Sequence, residues 1–243
     1  MKINTLKQLK WAAKTAGFTM IEMAIVLVIM GLLLGGVLKG QAMINNAKVN
    51  SLIADVKGIQ TAFLAFQDRY HHVPGDWDQA STAIPGAVNC TTACNTGAID
   101  TAQKSVLAFN HLSAAGFLTG DYNGLGTTNT AANSPVNRWG GVMQIAFDGN
   151  YATATAATGN TPRHNIKTGN MMPVSVLREL DTKLDNESPV TGGFRFTNWS
   201  AGSAAPAISG AGGCTTTGAA ADSLWDAGNT AAASNCGGAL LLD

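Results

Sequence analysis

Charge is scarce in this chain. Only 12% of its 243 residues are Asp, Glu, Lys or Arg, and the formal net charge is zero. A nucleic-acid-binding protein usually has a basic patch or stripe, so nucleic acid is not an expected partner here. Catalytic patterns are lacking too: the four histidines are scattered, G-x-S-x-G does not occur, and no cysteine lies in a nucleophile context. The sequence therefore does not predict an enzyme, and we expect no cofactor.

Charges are almost absent from one long apolar run. Between Phe18 and Leu38 the only charged residue is Glu22, and Lys39 ends the run. At about 1.5 Å per residue, a helix of this length spans about 31 Å, which matches the hydrocarbon core of a bilayer. A carboxylate in such a segment is costly and usually has a partner. The run therefore predicts a transmembrane helix with a functional carboxylate.

The residues before this run lack acidic side chains. Residues 1–17 contain four lysines and no Asp or Glu, so the positive-inside rule places this arm in the cytoplasm. Without them, 11 basic and 15 acidic side chains remain, a net charge of 11 − 15 = −4. A secretory signal peptide fits poorly, because its apolar part is typically about 7–15 residues and an A-x-A-like site should follow. Hydropathy alone favours an uncleaved membrane anchor.

The residues at the start of the run favour a more specific interpretation. A basic leader ending in Gly17, followed by Phe18 and, four residues later, by Glu22, closely resembles the prepilin family, which includes type IV pilins and the pseudopilins of type II secretion. The resemblance implies that prepilin peptidase cleaves between Gly17 and Phe18 and N-methylates Phe18. Glycine suits such a bond because its backbone can approach a catalytic site closely. It also implies that Glu22 meets the N-terminal amine of a neighbouring subunit and sets the filament register.

Three glycines lie in the apolar run and a fourth, Gly40, follows Lys39. They form two G-x-x-x-G spacings, Gly31 with Gly35 and Gly36 with Gly40. Small residues let helices approach closely in lipid, so we expect these glycines to pack helices in a filament core. The run contains no proline. Local melting of the helix on assembly would therefore depend on the glycines, each of which costs a helix about 1 kcal/mol relative to Ala.

A second apolar pattern predicts that the helix continues to about residue 70. Spacings of three and four residues place one set of side chains on a single helical face: Val49, Leu52, Val56, Ile59, Phe63, Phe66 and Tyr70. Pro74-Gly75 then predicts a turn. We therefore expect a cleaved leader (1–17), a membrane or filament-core helix (18–38), its amphipathic continuation (39–70) and a globular head (71–243).

The head is predicted to be α+β. Helical spacing covers residues 104–118 and 175–184, and the strand candidates are 141–147, 151–156, 194–197 and 239–242. A long N-terminal helix packed on an antiparallel sheet is the pilin-like architecture that the resemblance implies.

Two polar clusters raise the possibility of metal binding. His71 and His72 lie near Asp76, but neighbouring side chains point in different directions, so a solvated turn is favoured. The acidic residues Asp181, Asp185 and Glu187 match no established calcium loop, which favours capping and turn roles. No metal site is predicted.

Four cysteines in an exported chain indicate two disulfides, and three pairings are possible. The most local pairing is Cys90–Cys94 with Cys214–Cys236; the second bond would close a C-terminal loop, as in type IV pilins. A zinc site at Cys90 and Cys94 is the alternative, but it lacks a second matching pair.

The resemblance implies a structural subunit that polymerises into a type IV pilus. Its partners would be other pilin subunits, prepilin peptidase and the pilus or secretion assembly machinery. Before assembly it would lie in the bacterial inner membrane with its N-terminus in the cytoplasm, and afterwards in an extracellular or periplasmic filament. The alternatives are a pseudopilin of type II secretion and a minor pilin with an adhesive or DNA-uptake head.

Overall fold

The computed structural model describes residues 17–210, 212–228 and 234–242. Apart from Gly17, the predicted leader (1–17) lies outside the described residues. The first helix, α1 (Met20–Tyr70), is continuous over 51 residues, which confirms the long N-terminal helix. The chain divides into two compact units between Asn46 and Ala47.

The first unit contains the apolar part of α1. From Gly17 to Asn46 every residue is exposed except Gly40, which is half-buried. Its helical conformation agrees with the unbroken run of apolar residues, since proline, the strongest helix breaker, is absent from it.

The second unit is built around the remainder of α1. Val49, Leu52, Val56, Phe63 and Phe66 are buried, as the spacings of three and four predict. They share one apolar core with side chains from two further helices, α3 (Ala102–Ala114) and α4 (Val174–Leu184), and from a four-stranded sheet. A single helical turn, α2 (Ala80–Ala83), lies between α1 and α3 in the chain.

The sheet is antiparallel throughout. Its strands are β1 (Gln144–Asp148), β2 (Arg163–Lys167), β3 (Phe194–Phe196) and β4 (Gly238–Leu241). The spatial order is β1-β2-β4-β3, so the last strand of the chain lies between β2 and β3. The α+β class and the antiparallel sheet are therefore confirmed.

One predicted strand was wrong, and one strand of the sheet was not predicted. Residues 151–156 form a loop rather than a strand: the Thr153 hydroxyl accepts a hydrogen bond from the backbone N–H of Ala156, 3.2 Å away, and closes a turn. The strand that the prediction missed is β2, whose sequence Arg-His-Asn-Ile-Lys shows no apolar alternation. Lys167 is nevertheless buried there, because its ammonium group contacts Asp148 and Gln144 on β1.

Candidate processing and assembly site

The Gly17–Phe18 bond lies just outside the first helix. Residues 17–19 are not helical and α1 begins at Met20. Phe18 is 81% exposed. A Cβ atom added to Gly17 would touch nothing within 4 Å, so no contact within the described chain requires glycine at this position.

Thr19 and Glu22 form a reciprocal cap at the start of α1. The Glu22 carboxylate accepts hydrogen bonds from the Thr19 backbone N–H at 2.9 Å and from the Thr19 hydroxyl at 2.8 Å. The Glu22 N–H in turn donates to the Thr19 hydroxyl oxygen at 3.3 Å. This is a capping box, which supplies partners for backbone donors that the first helical turn leaves unpaired.

The capping box is a role of Glu22 that the sequence analysis missed. Its signal was present, because Thr-x-x-Glu before an apolar run is the sequence pattern of a capping box. Phe18 and Glu22 also line the same shallow apolar concavity, of about 510 Å³, with Met23, Ile25 and Val26. The residue that would carry the new amine and the carboxylate proposed to bind a neighbour's amine thus lie at one end of α1.

The surface of α1 beyond this end is apolar. Its most apolar 18-residue window has a mean hydropathy of 2.6 and is not buried in the structure. By length and composition, α1 is the one helix among the described residues that could cross a membrane. Water is a poor solvent for a continuous apolar surface of this size. Lipid or other apolar helices are therefore the environments in which it is stable.

The four glycines of this segment have open space around them. At Gly31, Gly35, Gly36 and Gly40 an added Cβ atom would meet nothing within 4 Å. No packing within the described chain explains them. Their predicted role in packing against another helix therefore remains a prediction.

The turn after α1 is fixed by three buried polar side chains. The carboxylate of Asp76 lies 2.8 Å from the ammonium of Lys104 on α3, and both side chains are almost fully buried. The backbone N–H of Gly75 donates to His111 Nδ1 at 2.9 Å, and His111 Nε2 donates to the carbonyl oxygen of Val88 at 2.7 Å. These contacts hold the turn against α3.

The pKa values in this cluster follow from its contacts. Burial lowers the pKa of Lys104, but hydrogen bonds and charges from Asp100 and Asp76 outweigh that effect and leave the pKa above its usual value. Burial lowers the pKa of His111 to about 4, and the Val88 carbonyl only partly opposes this. At neutral pH Lys104 is therefore charged and His111 is neutral.

The candidate metal ligands have other partners. The ring of His72 stacks on that of Trp77, with centroids 4.5 Å apart. Asp181 accepts a hydrogen bond from Trp225, Asp185 accepts one from the backbone N–H of Phe194, and Glu187 pairs with Arg178. Within the described part of the chain, no group of three or more His, Cys, Asp or Glu side chains has the geometry to hold a metal ion.

Two disulfide bonds are present. Cys90 is bonded to Cys94 and Cys214 to Cys236. The second bond closes a C-terminal segment, and by the C-terminal loop we mean its described residues, 214–228 and 234–236. Trp225 of this loop is buried against the core.

Comparison with known proteins supports the resemblance at the N-terminus. The family model described as "Prokaryotic N-terminal methylation motif" matches residues 13–38. These residues include the Gly17–Phe18 bond, the capping box and the apolar part of α1. No curated protein and no solved structure matches the chain significantly.

The fold and the site together define the class of protein. The chain carries the prepilin-type methylation motif on an apolar helix, with an α+β domain of pilin-like architecture after it. It is thus similar to the prepilin-type family, whose shared part is this N-terminal segment.

Proposed function

We propose that this chain is a prepilin: its leader is removed after Gly17, Phe18 is N-methylated, and the mature subunit polymerises into a type IV pilus. The observation that carries the proposal is the methylation motif over residues 13–38. It coincides with an exposed Gly17–Phe18 bond immediately before a helix.

The exposed apolar helix supports assembly. Before processing, lipid would cover the surface of α1, with the lysine-rich leader in the cytoplasm. After processing, α1 helices of neighbouring subunits would replace lipid, and the glycine spacings would allow close contact between them. In this arrangement Glu22 would pair with a neighbour's Phe18 amine, because an isolated charge is strongly disfavoured in an apolar environment.

Processing can be tested with the full chain. Co-expression with a prepilin peptidase should yield a mature protein that begins with methylated Phe18, as measured by intact-mass and peptide mass spectrometry. Gly17→Val should remain uncut, because a branched side chain hinders close approach to the bond. Gly31→Val, the same substitution within the helix, should be cut normally. A wild-type chain that keeps its leader, or that is cut elsewhere, contradicts the proposal.

Assembly needs a separate measurement. Shearing cells that express this chain with a type IV pilus machinery should release filaments that contain the mature subunit. Filaments that form only with a type II secretion machinery would instead identify the chain as a pseudopilin. In either filament the chain would be a structural subunit, and its function requires no enzymatic step by the chain itself.

A further inference from the structure

The C-terminal loop is attached to α4 by one buried hydrogen bond. The indole Nε1–H of Trp225 donates to Oδ2 of Asp181 at a distance of 2.7 Å. Asp181 is fully buried and Trp225 is 3% exposed. The Trp225 ring also lies 6.1 Å from that of Phe194 on β3. The same residue of the loop therefore contacts both a helix and the sheet.

The Asp181 carboxylate is poorly compensated when it is ionised. Its Oδ1 atom is buried and has no hydrogen bond of ordinary geometry among the described residues, although the backbone N–H of Glu187 acts on the carboxylate. The charges that act on it from the end of α4 and the following turn are those of Asp185 and Glu187, both negative. From β3, Arg195 interacts with Asp185. The loop contributes the uncharged indole of Trp225 and carries two further acidic residues, Asp222 and Asp226. An ionised carboxylate in this place is disfavoured by burial and by like charge.

We propose that Asp181 and Trp225 form a pH-sensitive latch, which holds the C-terminal loop on α4 more firmly below neutral pH than above it. Protonation removes the buried charge and leaves Oδ2 free to accept from the indole. Ionisation favours states in which the loop opens and water reaches the carboxylate.

The titration of the group agrees with this geometry. Burial raises the pKa of Asp181 to about 7. The hydrogen bonds from Trp225 and from the backbone N–H of Glu187 oppose the rise, and the charges of Asp185 and Glu187 add to it. When the loop opens, the pKa returns to its ordinary value of about 4. The closed form therefore binds the proton more tightly and gains stability as pH falls from above 7 toward 4.

The latch would matter for an exported head, because the pH outside the cytoplasm follows that of the medium; this consequence rests on the proposed function. A contact that loosens within the neutral range would let the C-terminal loop respond to that pH. The latch itself can be tested independently of processing and assembly.

Hydrogen exchange of the full chain in detergent provides the test. We expect protection of backbone amides in residues 214–228, corrected for intrinsic exchange rates, to fall by more than about tenfold between about pH 5.5 and about pH 8. Asp181→Asn keeps an oxygen acceptor for the indole but cannot ionise, so its protection should not change over this range. Glu179→Gln, which removes a partly exposed acid from the same helix, should behave like the wild type.

Two further measurements guard against a variant that does not fold. In the wild type, a carboxyl-carbon NMR titration of Asp181 should have its midpoint near pH 7, where the loss of protection levels off. Trp225→Phe should reduce protection of the loop at both pH values, because it removes the donor. Equal pH dependence in wild type and Asp181→Asn, or constant wild-type protection, would overturn the latch. Processing after Gly17 would be unaffected by either outcome, so the two proposals fail separately.

Discussion

The ammonium of Lys104 lies 2.8 Å from the carboxylate of Asp76, and neither side chain has appreciable access to solvent. Asp76 belongs to the turn that ends α1, and Lys104 to the first turn of α3. Asp76 also accepts a hydrogen bond from the backbone N–H of Gly97 at 2.6 Å. This buried pair thus joins the end of the long helix to the rest of its unit.

Removing one member of this pair should be strongly destabilising. Lys104→Met leaves the Asp76 carboxylate buried without its cation, which should lower the free energy of unfolding by about 3–5 kcal/mol. Urea denaturation of the full chain in detergent, followed by tryptophan fluorescence, measures the change. Lys183→Met removes a partly exposed ion pair with Glu179 and should cost no more than about 1 kcal/mol. Equal effects of the two substitutions would contradict a structural role for the buried pair.

Gly75 should tolerate no side chain. Its φ is +85°, and an added Cβ atom would lie 2.2 Å from the carbonyl oxygen of Lys104. Gly86 is a matched control, because its φ is +88° and its added Cβ would meet nothing within 4 Å. Gly86→Ala should lower the free energy of unfolding by about 1–2 kcal/mol, from backbone strain alone. Gly75→Ala should lower it by clearly more, because the added Cβ also meets the Lys104 carbonyl oxygen. Similar unfolding free energies for the two variants would show that the turn can move away from α3.

His111 should make the fold sensitive to acid. Its pKa is lowered by burial to about 4, whereas the unfolded chain takes up the proton near 6.5. Stability is therefore lost as pH falls from about 6.5 to about 4, by roughly 3 kcal/mol in total. The raised pKa of Asp181 has the opposite effect, because it stabilises the fold as pH falls. The loss of stability that is due to His111 should therefore be measured in the Asp181→Asn background. An imidazole NMR titration of His111 with a midpoint near the ordinary value would contradict this prediction.

The cap and the charge of Glu22 can be separated. Glu22→Gln keeps a side chain that can complete the capping box but removes the charge that would meet a neighbour's amine. Thr19→Ala removes the cap partner and keeps the charge. If Glu22 sets the register, Glu22→Gln should reduce sheared filaments by more than about tenfold, since an unpaired buried charge costs several kcal/mol. Thr19→Ala should assemble at close to the wild-type level.

Processing is the control for both variants, because the bond before Phe18 is unchanged. Mass spectrometry should find the mature N-terminus in each. Normal filament yield from Glu22→Gln together with loss of filaments from Thr19→Ala would assign Glu22 to capping alone.

Most of the N-terminal half was predictable because its signals are local. Helix formation needs only a long run without breakers, and burial of Val49, Leu52 and Phe66 follows from spacings of three and four along one helix. The turn at Pro74-Gly75 follows from backbone preferences of two adjacent residues. The capping box of Thr19 and Glu22 is equally local, because the pattern Thr-x-x-Glu before an apolar run predicts it.

The sheet was harder to predict, because strand position depends on distant partners. β2 contains Arg163, Asn165 and Lys167, and its burial depends on β1 and β4 beside it. Conversely, residues 151–156 have suitable residue types for a strand, but local hydrogen bonds of Thr153 hold them in a turn. Whether residues with β propensity form a strand thus depends strongly on their tertiary context.

The sequence by itself determined the methylation motif, the apolar helix with its one carboxylate, the amphipathic face and the even number of cysteines. All of these are read from residue type over short spacings. The tertiary structure decided that Asp76 pairs with Lys104, that burial keeps His111 neutral while it bonds to Gly75 and Val88, and that Asp181 holds Trp225. The last two residues are 44 positions apart. No pattern along the chain specifies such pairs, because they depend on which polar groups the folded core encloses together.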